Sequence, residues 1–308
     1  VLSGLFQKKG ERGPGTVVLE LGESCVRALR ISRQDRPTVH GAASLNGTAR
    51  DALSRLARDR WFEGGRLRVM LGARQRETAI LARPDVDDAE LVDAMRWQIA
   101  DRLPFPAEEA LLDVLTIDDR EPAARQQVIV MAAHRPRIAA LLQPLARLRG
   151  QQVECLDVAD CAQRNLAEAA SGPGTSVACL TERDGSLLFT VSRGRDLVYS
   201  RAFELAAEGR DGELPGDRIA MQLLRAIDTI ERRSPESAPV RMLVGPAAAQ
   251  SPLREIARQC GLSVIDLDWQ AGVDVDETAR VDIEADPGLL LLVGIALRRE
   301  RIAEAVGA

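Results

Sequence analysis

Met95-Arg96-Trp97-Gln98-Ile99-Ala100-Asp101-Arg102-Leu103-Pro104-Phe105-Pro106 runs directly into Ala107-Glu108-Glu109-Ala110-Leu111-Leu112-Asp113. A helix carrying a tryptophan and paired charges meets two prolines here. Each proline fixes φ near roughly −65° and lacks an amide hydrogen, so the helix must end near Leu103 and present Phe105 on a rigid corner. By itself the pattern also fits an ordinary amphipathic helix with a proline stop. The surrounding segments have to decide between the two.

Working outward, the composition is that of a folded protein with room for two domains. The 308 residues, 45% of them hydrophobic, suffice for real cores. No apolar run approaches the roughly 20 residues that span a bilayer; the longest, Gly288 to Leu297, reads as a buried helix. Leu5 and Phe6 precede the basic pair Lys8-Lys9, the reverse of a secretory signal, so a cytoplasmic protein is expected. Cys25, Cys155, Cys161, Cys179 and Cys260 form no CxxC pair and read as reduced thiols packed like small hydrophobes. With only His40 and His134 available, metal ligation is not expected, and a net charge of −5 argues against nucleic-acid binding. Lys8, Lys9 and Arg12 form a short cluster that fits either contact with an anionic membrane surface or a disordered tail.

Periodicity supplies the elements. Strands are expected over 16–21, 25–31, 39–43, 67–71, 77–81, 111–118, 127–132 and 153–158, and helices over 48–60, 87–103, 136–148 and 159–170. Ser171-Gly172-Pro173-Gly174 then marks the sharpest compositional break. Beyond it the pattern restarts, with strands over 176–180, 187–192, 197–203, 240–244 and 263–267 and helices over 218–233, 251–260 and 288–299. Two halves that each open on hairpin-like strands and continue as alternating helices and strands imply a duplicated α/β architecture.

The Arg96-Trp97 to Pro106 segment resembles the signature of the PilM and MshI group of type IV pilus assembly proteins, whose fold is actin-like. The resemblance extends in order from Thr16 to Arg299. Val18 to Arg27 is similar to that group's first phosphate loop, an Asp-x-Gly-Ser-Ser-x-x-Lys pattern. Leu187 to Arg201 resembles the hairpin after the second phosphate loop, Gln222 to Arg233 the helix that follows, and Arg241 to Gly245 with Leu262 to Asp266 the adenosine side. Gly288 to Arg298 resembles the closing helix. The resemblance implies a tail over 1–15, a first lobe over 16–172 with a subdomain inserted at about 87–148, and a second lobe over 173–308.

An actin-like ATPase needs small residues at its phosphate loops and carboxylates to position Mg²⁺ and water. Here Glu20 replaces Asp, Glu23 stands where Ser belongs and Arg27 replaces Lys, leaving only Gly22 and Ser24 in the pattern. Thr181 falls where the second loop has Asp, and Arg183 where it has its first Gly; Gly185-Ser186 alone stays flexible. At the adenosine loop, Pro246 in Gly245-Pro246-Ala247-Ala248 withholds an amide. Unit charges about 4 Å apart interact by about 4 kcal/mol at an effective dielectric of about 20, so Glu23 opposes a phosphate unless Mg²⁺ or Arg27 intervenes. Should ATP or ADP with Mg²⁺ bind, the residues that hold it are Gly22, Glu23, Ser24, Arg27, Arg183, Gly185, Ser186 and Gly245. The expectation is a degenerate, non-hydrolysing site with no cofactor and no catalytic residue. Glu20, Glu23 and Thr181 then read as solvated turn residues.

The acidic tract from Asp266 to Asp286 lacks EF-hand spacing and reads as a solvated loop, and His134 reads as the cap of the helix it precedes. The resemblance implies a cytoplasmic scaffold at the inner-membrane platform of an MSHA-like type IV pilus. Its implied partner is the short N-terminal tail of a PilN-like membrane protein, with homo-oligomers admitted. Arg96, Trp97, Arg102, Phe105 and Glu108 are the residues expected to hold that tail, unless Trp97 packs its helix onto a sheet. The alternatives are a cytoplasmic component of a type II secretion platform and an active actin-like ATPase.

Overall fold

The computed structural model describes residues 15–32, 36–117, 126–148, 150–205, 215–246 and 252–298. Lys8, Lys9, Arg12 and the rest of the expected tail up to residue 14 lie outside them, as do Ala247 and Ala248 of the adenosine loop.

The first sheet is built from β1 (Thr16–Leu21), β2 (Cys25–Ser32), β3 (Thr38–Asn46), β4 (Arg66–Leu71) and β8 (Gln152–Val158), with α1 (Ala49–Arg58) between β3 and β4. Thr48 caps α1 by accepting from the Asp51 amide, which explains why that helix starts where the sequence places it. The strands run in the order β3-β2-β1-β4-β8, antiparallel from β3 to β1 and parallel from β1 to β8.

The second sheet repeats this arrangement. Its strands are β9 (Ser176–Arg183), β10 (Ser186–Arg193), β11 (Asp196–Glu204), β12 (Arg241–Val244) and β13 (Ser263–Asp266), in the order β11-β10-β9-β12-β13. Again the first three are antiparallel and the rest parallel. α5 (Pro215–Arg233) lies between β11 and β12, as α1 lies between β3 and β4, and α6 (Leu253–Gln259) lies between β12 and β13.

The helix at the corresponding place in the first lobe is α3 (Arg135–Leu142), and this fixes the extent of the insertion. β5 (Glu77–Ala82), α2 (Asp88–Ile99), β6 (Ala110–Ile117) and β7 (Gln127–His134) make a separate three-stranded sheet with α2 packed on it. The insertion thus begins at Glu77 rather than 87, because β5 pairs with β7. It ends at His134 rather than 148, because Leu141, Leu142 and Leu145 pack into the first-lobe core. Pro144 breaks the expected helix over 136–148 into α3 and a 3-10 turn, Gln143–Arg147.

Between the two main sheets lie α4 (Ala159–Ser171) and α8 (Leu290–Ala296). They share one core with Val18 and Leu29 of the first sheet and Val177, Cys179 and Leu243 of the second. Each fully buried Leu or Ile in it contributes about 1.5–3 kcal/mol. The acidic tract is not a loop. It contains β14 (Asp274–Val275), which extends the first sheet beside β3, and α7 (Glu277–Ala285), whose Ala279 and Ile283 are buried. Among the described residues no helix is long and apolar enough to cross a membrane.

Candidate functional site

The ends of β1, β2, β9 and β10 converge on a cleft of about 410 Å³ between the lobes. Most of the residues expected to hold a nucleotide line it: Gly22, Glu23, Ser24, Arg27, Arg183 and Ser186. Charged side chains paired with one another line its floor, with Glu20 Oε2 and Arg183 Nη1 left without a hydrogen bond among the described residues.

Glu20, on β1, is 3% exposed, so it is not a solvated turn residue. Its Oε1 accepts from Arg183 Nη2 and its Oε2 lies 3.5 Å from Arg27 Nη1. Arg27 grips Asp184 with both ends of its guanidinium, Nη1 to Oδ2 at 2.8 Å and Nη2 to Oδ1 at 2.7 Å. Its Nε donates to Asp286 Oδ2 at 2.9 Å. Two arginines and three carboxylates thus join β1 and β2 to the β9–β10 turn and to the residue after α7. Bidentate arginine–carboxylate pairs are among the strongest polar contacts available to a protein.

Local geometry explains these positions. Asp184 and Gly185 form the two-residue turn of the β9–β10 hairpin with φ of 50° and 75°, the left-handed conformation that an Asp-Gly pair tolerates. That turn aims Asp184 at Arg27. The Arg27 guanidinium lies against Gly288, where an added Cβ would overlap its Nε and Cζ.

The charge states follow. Burial raises the Glu20 carboxyl above its ordinary range, against the pull of Arg183 and Arg27. The hydrogen bond from Arg27 holds Asp184 low in spite of burial. For Asp286, burial works upward, but hydrogen bonds from Ser44 and Arg27 win and lower it. Burial alone pulls Arg27 downward; its bonds to Asp184 and Asp286 outweigh this and raise it.

The remaining nucleotide-site residues divide. Glu23 is exposed, as expected, with Arg137 Nη2 at 3.7 Å. Ser24 is exposed too, and Gly22 donates its amide to Cys25 O at 2.9 Å across the β1–β2 turn. Ser186 Oγ donates to Glu204 Oε1 at 2.9 Å. Thr181 is buried, correcting its reading as a turn residue: its Oγ1 donates to Gln163 Oε1 at 2.5 Å, while Gln163 Nε2 donates to Cys179 O and Thr190 Oγ1. Gly185 and Gly245 do not line the cleft; the Gly245 amide donates to Leu180 O at 3.0 Å. Among the described residues, no group of three acidic, histidine or cysteine side chains converges as metal ligands. Burial pushes the Cys161 and Cys179 thiols up to about 12, which removes them as nucleophiles.

On the inserted subdomain, α2 buries Leu91, Met95 and Ile99 against the small sheet and leaves Trp97 74% exposed. Trp97 therefore does not pack its own helix. Arg102 and Glu108 are exposed. Arg96 and Phe105 are not free surface groups: Arg96 Nη1 donates to Ala107 O and Ala110 O, both at 2.8 Å, and Phe105 is half-buried, stacked on His134 at 4.8 Å. These two residues hold the proline corner in shape. His134 makes no capping bond to α3; its Nε2 lies 2.7 Å from Glu109 Oε2.

No protein-family model and no curated protein matches the chain. Solved structures do. A chain of a PilM-PilN type IV pilus biogenesis complex superposes with a TM-score of 0.71 at 20% identity, covering 94% of this chain and 99% of that one. The cytoplasmic domain of EpsL, an inner membrane component of the type II secretion system of Vibrio cholerae, gives 0.53 at 13% identity over 92% and 94%. A Bacteroides thetaiotaomicron protein of unknown function with an actin-like ATPase fold gives 0.50 at 8% identity over 90% and 95%. At such identities the likeness is one of fold: the chain is an actin-like, two-lobed α/β protein with a small subdomain inserted in its first lobe.

Proposed function

We propose that this chain is a non-hydrolysing scaffold on the cytoplasmic face of a bacterial inner membrane. In this reading it belongs to the assembly platform of a type IV pilus, of the MSHA-like kind, and holds the N-terminal tail of a PilN-like membrane protein. The observation that carries it is the internal neutralisation of the phosphate cleft. Of the four arginines that line the cleft, Arg27 and Arg183 are bound to Glu20, Asp184 and Asp286, Arg74 is paired with Glu204, and Arg137 lies 3.7 Å from Glu23. A nucleotide would have to displace those carboxylates and face them as like charges, so the cleft does not fit ATP with Mg²⁺. Likeness over nearly the whole chain to a PilM-PilN complex supports the pilus assignment. The EpsL domain favours, as second reading, the equivalent place in a type II secretion platform.

The tail-binding corner is testable because Trp97 and Arg102 are exposed, so replacing them leaves folding intact. Fluorescence anisotropy with a peptide copying the cytoplasmic N-terminal tail of a PilN-like membrane protein from the same genome is the measurement. Trp97→Ala and Arg102→Glu are each expected to weaken binding by about 2 kcal/mol, roughly 30-fold, with unchanged circular dichroism. Undiminished binding by both variants would move the tail off this corner.

A further inference from the structure

The second lobe carries a cleft that the reading above leaves unused. It opens between α5 and the edge strand β11, on the sheet face opposite α4 and α8, with a volume of about 620 Å³. Arg201 of β11 and Arg218 and Arg225 of α5 line it, and Tyr199, Met221 and Ala226 give it an apolar side. Among the described residues no carboxylate lines it. Arg201 is steadied over the Phe203 ring at 5.1 Å, and Arg225 Nη2 meets the Met221 thioether, a weak acceptor, at 3.5 Å. On the neighbouring face of the same helix, by contrast, Arg232 is paired with Asp228. Among the described residues none of the three is paired with a carboxylate, and together they gather positive charge in one concave patch of a chain whose net charge is −5.

Spacing narrows the occupant. Arg218 and Arg225 are seven residues apart on one helix, which at 1.5 Å per residue sets them about 10 Å apart on the same face, with Met221 between. Met221 is 47% exposed, an adaptable apolar contact left open. We propose that this cleft docks an acidic segment of a partner protein, in which two carboxylates about 10 Å apart flank an apolar side chain. Guanidinium forks suit carboxylates, and the concave shape with an apolar side suits a peptide. A duplex or a lipid surface needs many more phosphate contacts than three arginines offer, and the net negative charge of the chain repels such polyanions.

The test uses the whole chain and a fluorescein-labelled peptide of repeating Asp, Glu and Leu, read by anisotropy. Parallel arms use its Asn and Gln counterpart, phosphatidylglycerol vesicles and single-stranded DNA. The wild type is expected to bind the acidic peptide and not the amide peptide. Arg218→Glu with Arg225→Glu is expected to lose at least roughly tenfold in affinity while melting temperature and PilN-like tail binding stay unchanged. Arg225→Gln alone, a milder change on an exposed side chain, is expected to weaken binding in the same direction. The proposal is overturned if the wild type ignores the acidic peptide, if the variants bind it undiminished, or if vesicles or DNA bind more tightly at these same arginines. Retained tail binding separates failure here from failure of the scaffold reading.

Discussion

Arg27 holds the cleft together at the residue scale, because among the described residues it is the one that touches all three of Glu20, Asp184 and Asp286, whereas Arg183 reaches the first two. The direction of each carboxyl shift predicts how stability follows pH. Asp184 and Asp286 lie below the ordinary 3.8, so their contribution is complete above that pH and is lost as pH falls through their depressed values. Glu20 lies above the ordinary 4.5, so its contribution has the opposite sense, complete below 4.5 and lost as pH rises through its elevated value. Thermal unfolding across pH is the check. Asp184→Asn should flatten the acid limb, and Glu20→Gln should remove part of the decline above pH 4.5. Profiles identical to wild type would uncouple the network from folding. Arg27 and Arg183 were readable as departures from a phosphate-loop pattern, but their partners were not. Asp286 lies 259 residues from Arg27 and no local periodicity links them. Asp184-Gly185 was legible only as a hairpin turn.

At the scale of elements, helices and strands with strong periodicity fell where the sequence placed them, whereas α7 escaped. Its exposed face is dense in carboxylates and its buried face is only Ala279 and Ile283, so the acidic tract masked the helix. The limits of the inserted subdomain were misjudged for a related reason. β5 is short and only partly buried, and its pairing with β7 depends on a contact distant in sequence. The helices between the lobes give a sharp prediction. α8 crosses α4 at Gly294, where an added Cβ would overlap the Ala162 carbonyl oxygen, and Asn165 Nδ2 donates to Gly294 O at 2.9 Å. Gly294→Ala should therefore cost about 1–3 kcal/mol in urea unfolding, as overpacking does elsewhere. An unchanged midpoint would mean that α4 and α8 are not packed this closely.

At the scale of the whole molecule, two sheets with the same strand order are joined by α4 and α8 in one shared core and by the Arg27–Arg183 ion network at the cleft. The duplication was legible in the restart of the pattern after Gly174, because strands and helices recur in the same order. The neutralised cleft was not, since nothing in the loop substitutions says that arginines and carboxylates will meet each other. This neutralisation decides whether the protein is a scaffold or a nucleotide-gated switch. A ligand that binds only the folded state at 100 times its Kd stabilises it by about 2.7 kcal/mol, which raises the melting temperature by several degrees. The most direct measurement is the melting temperature of the wild type titrated with ATP and Mg²⁺. No shift is expected up to millimolar nucleotide, and a saturable rise at micromolar concentrations would mean that the cleft arginines exchange their carboxylates for phosphate and that the protein is a nucleotide-gated switch.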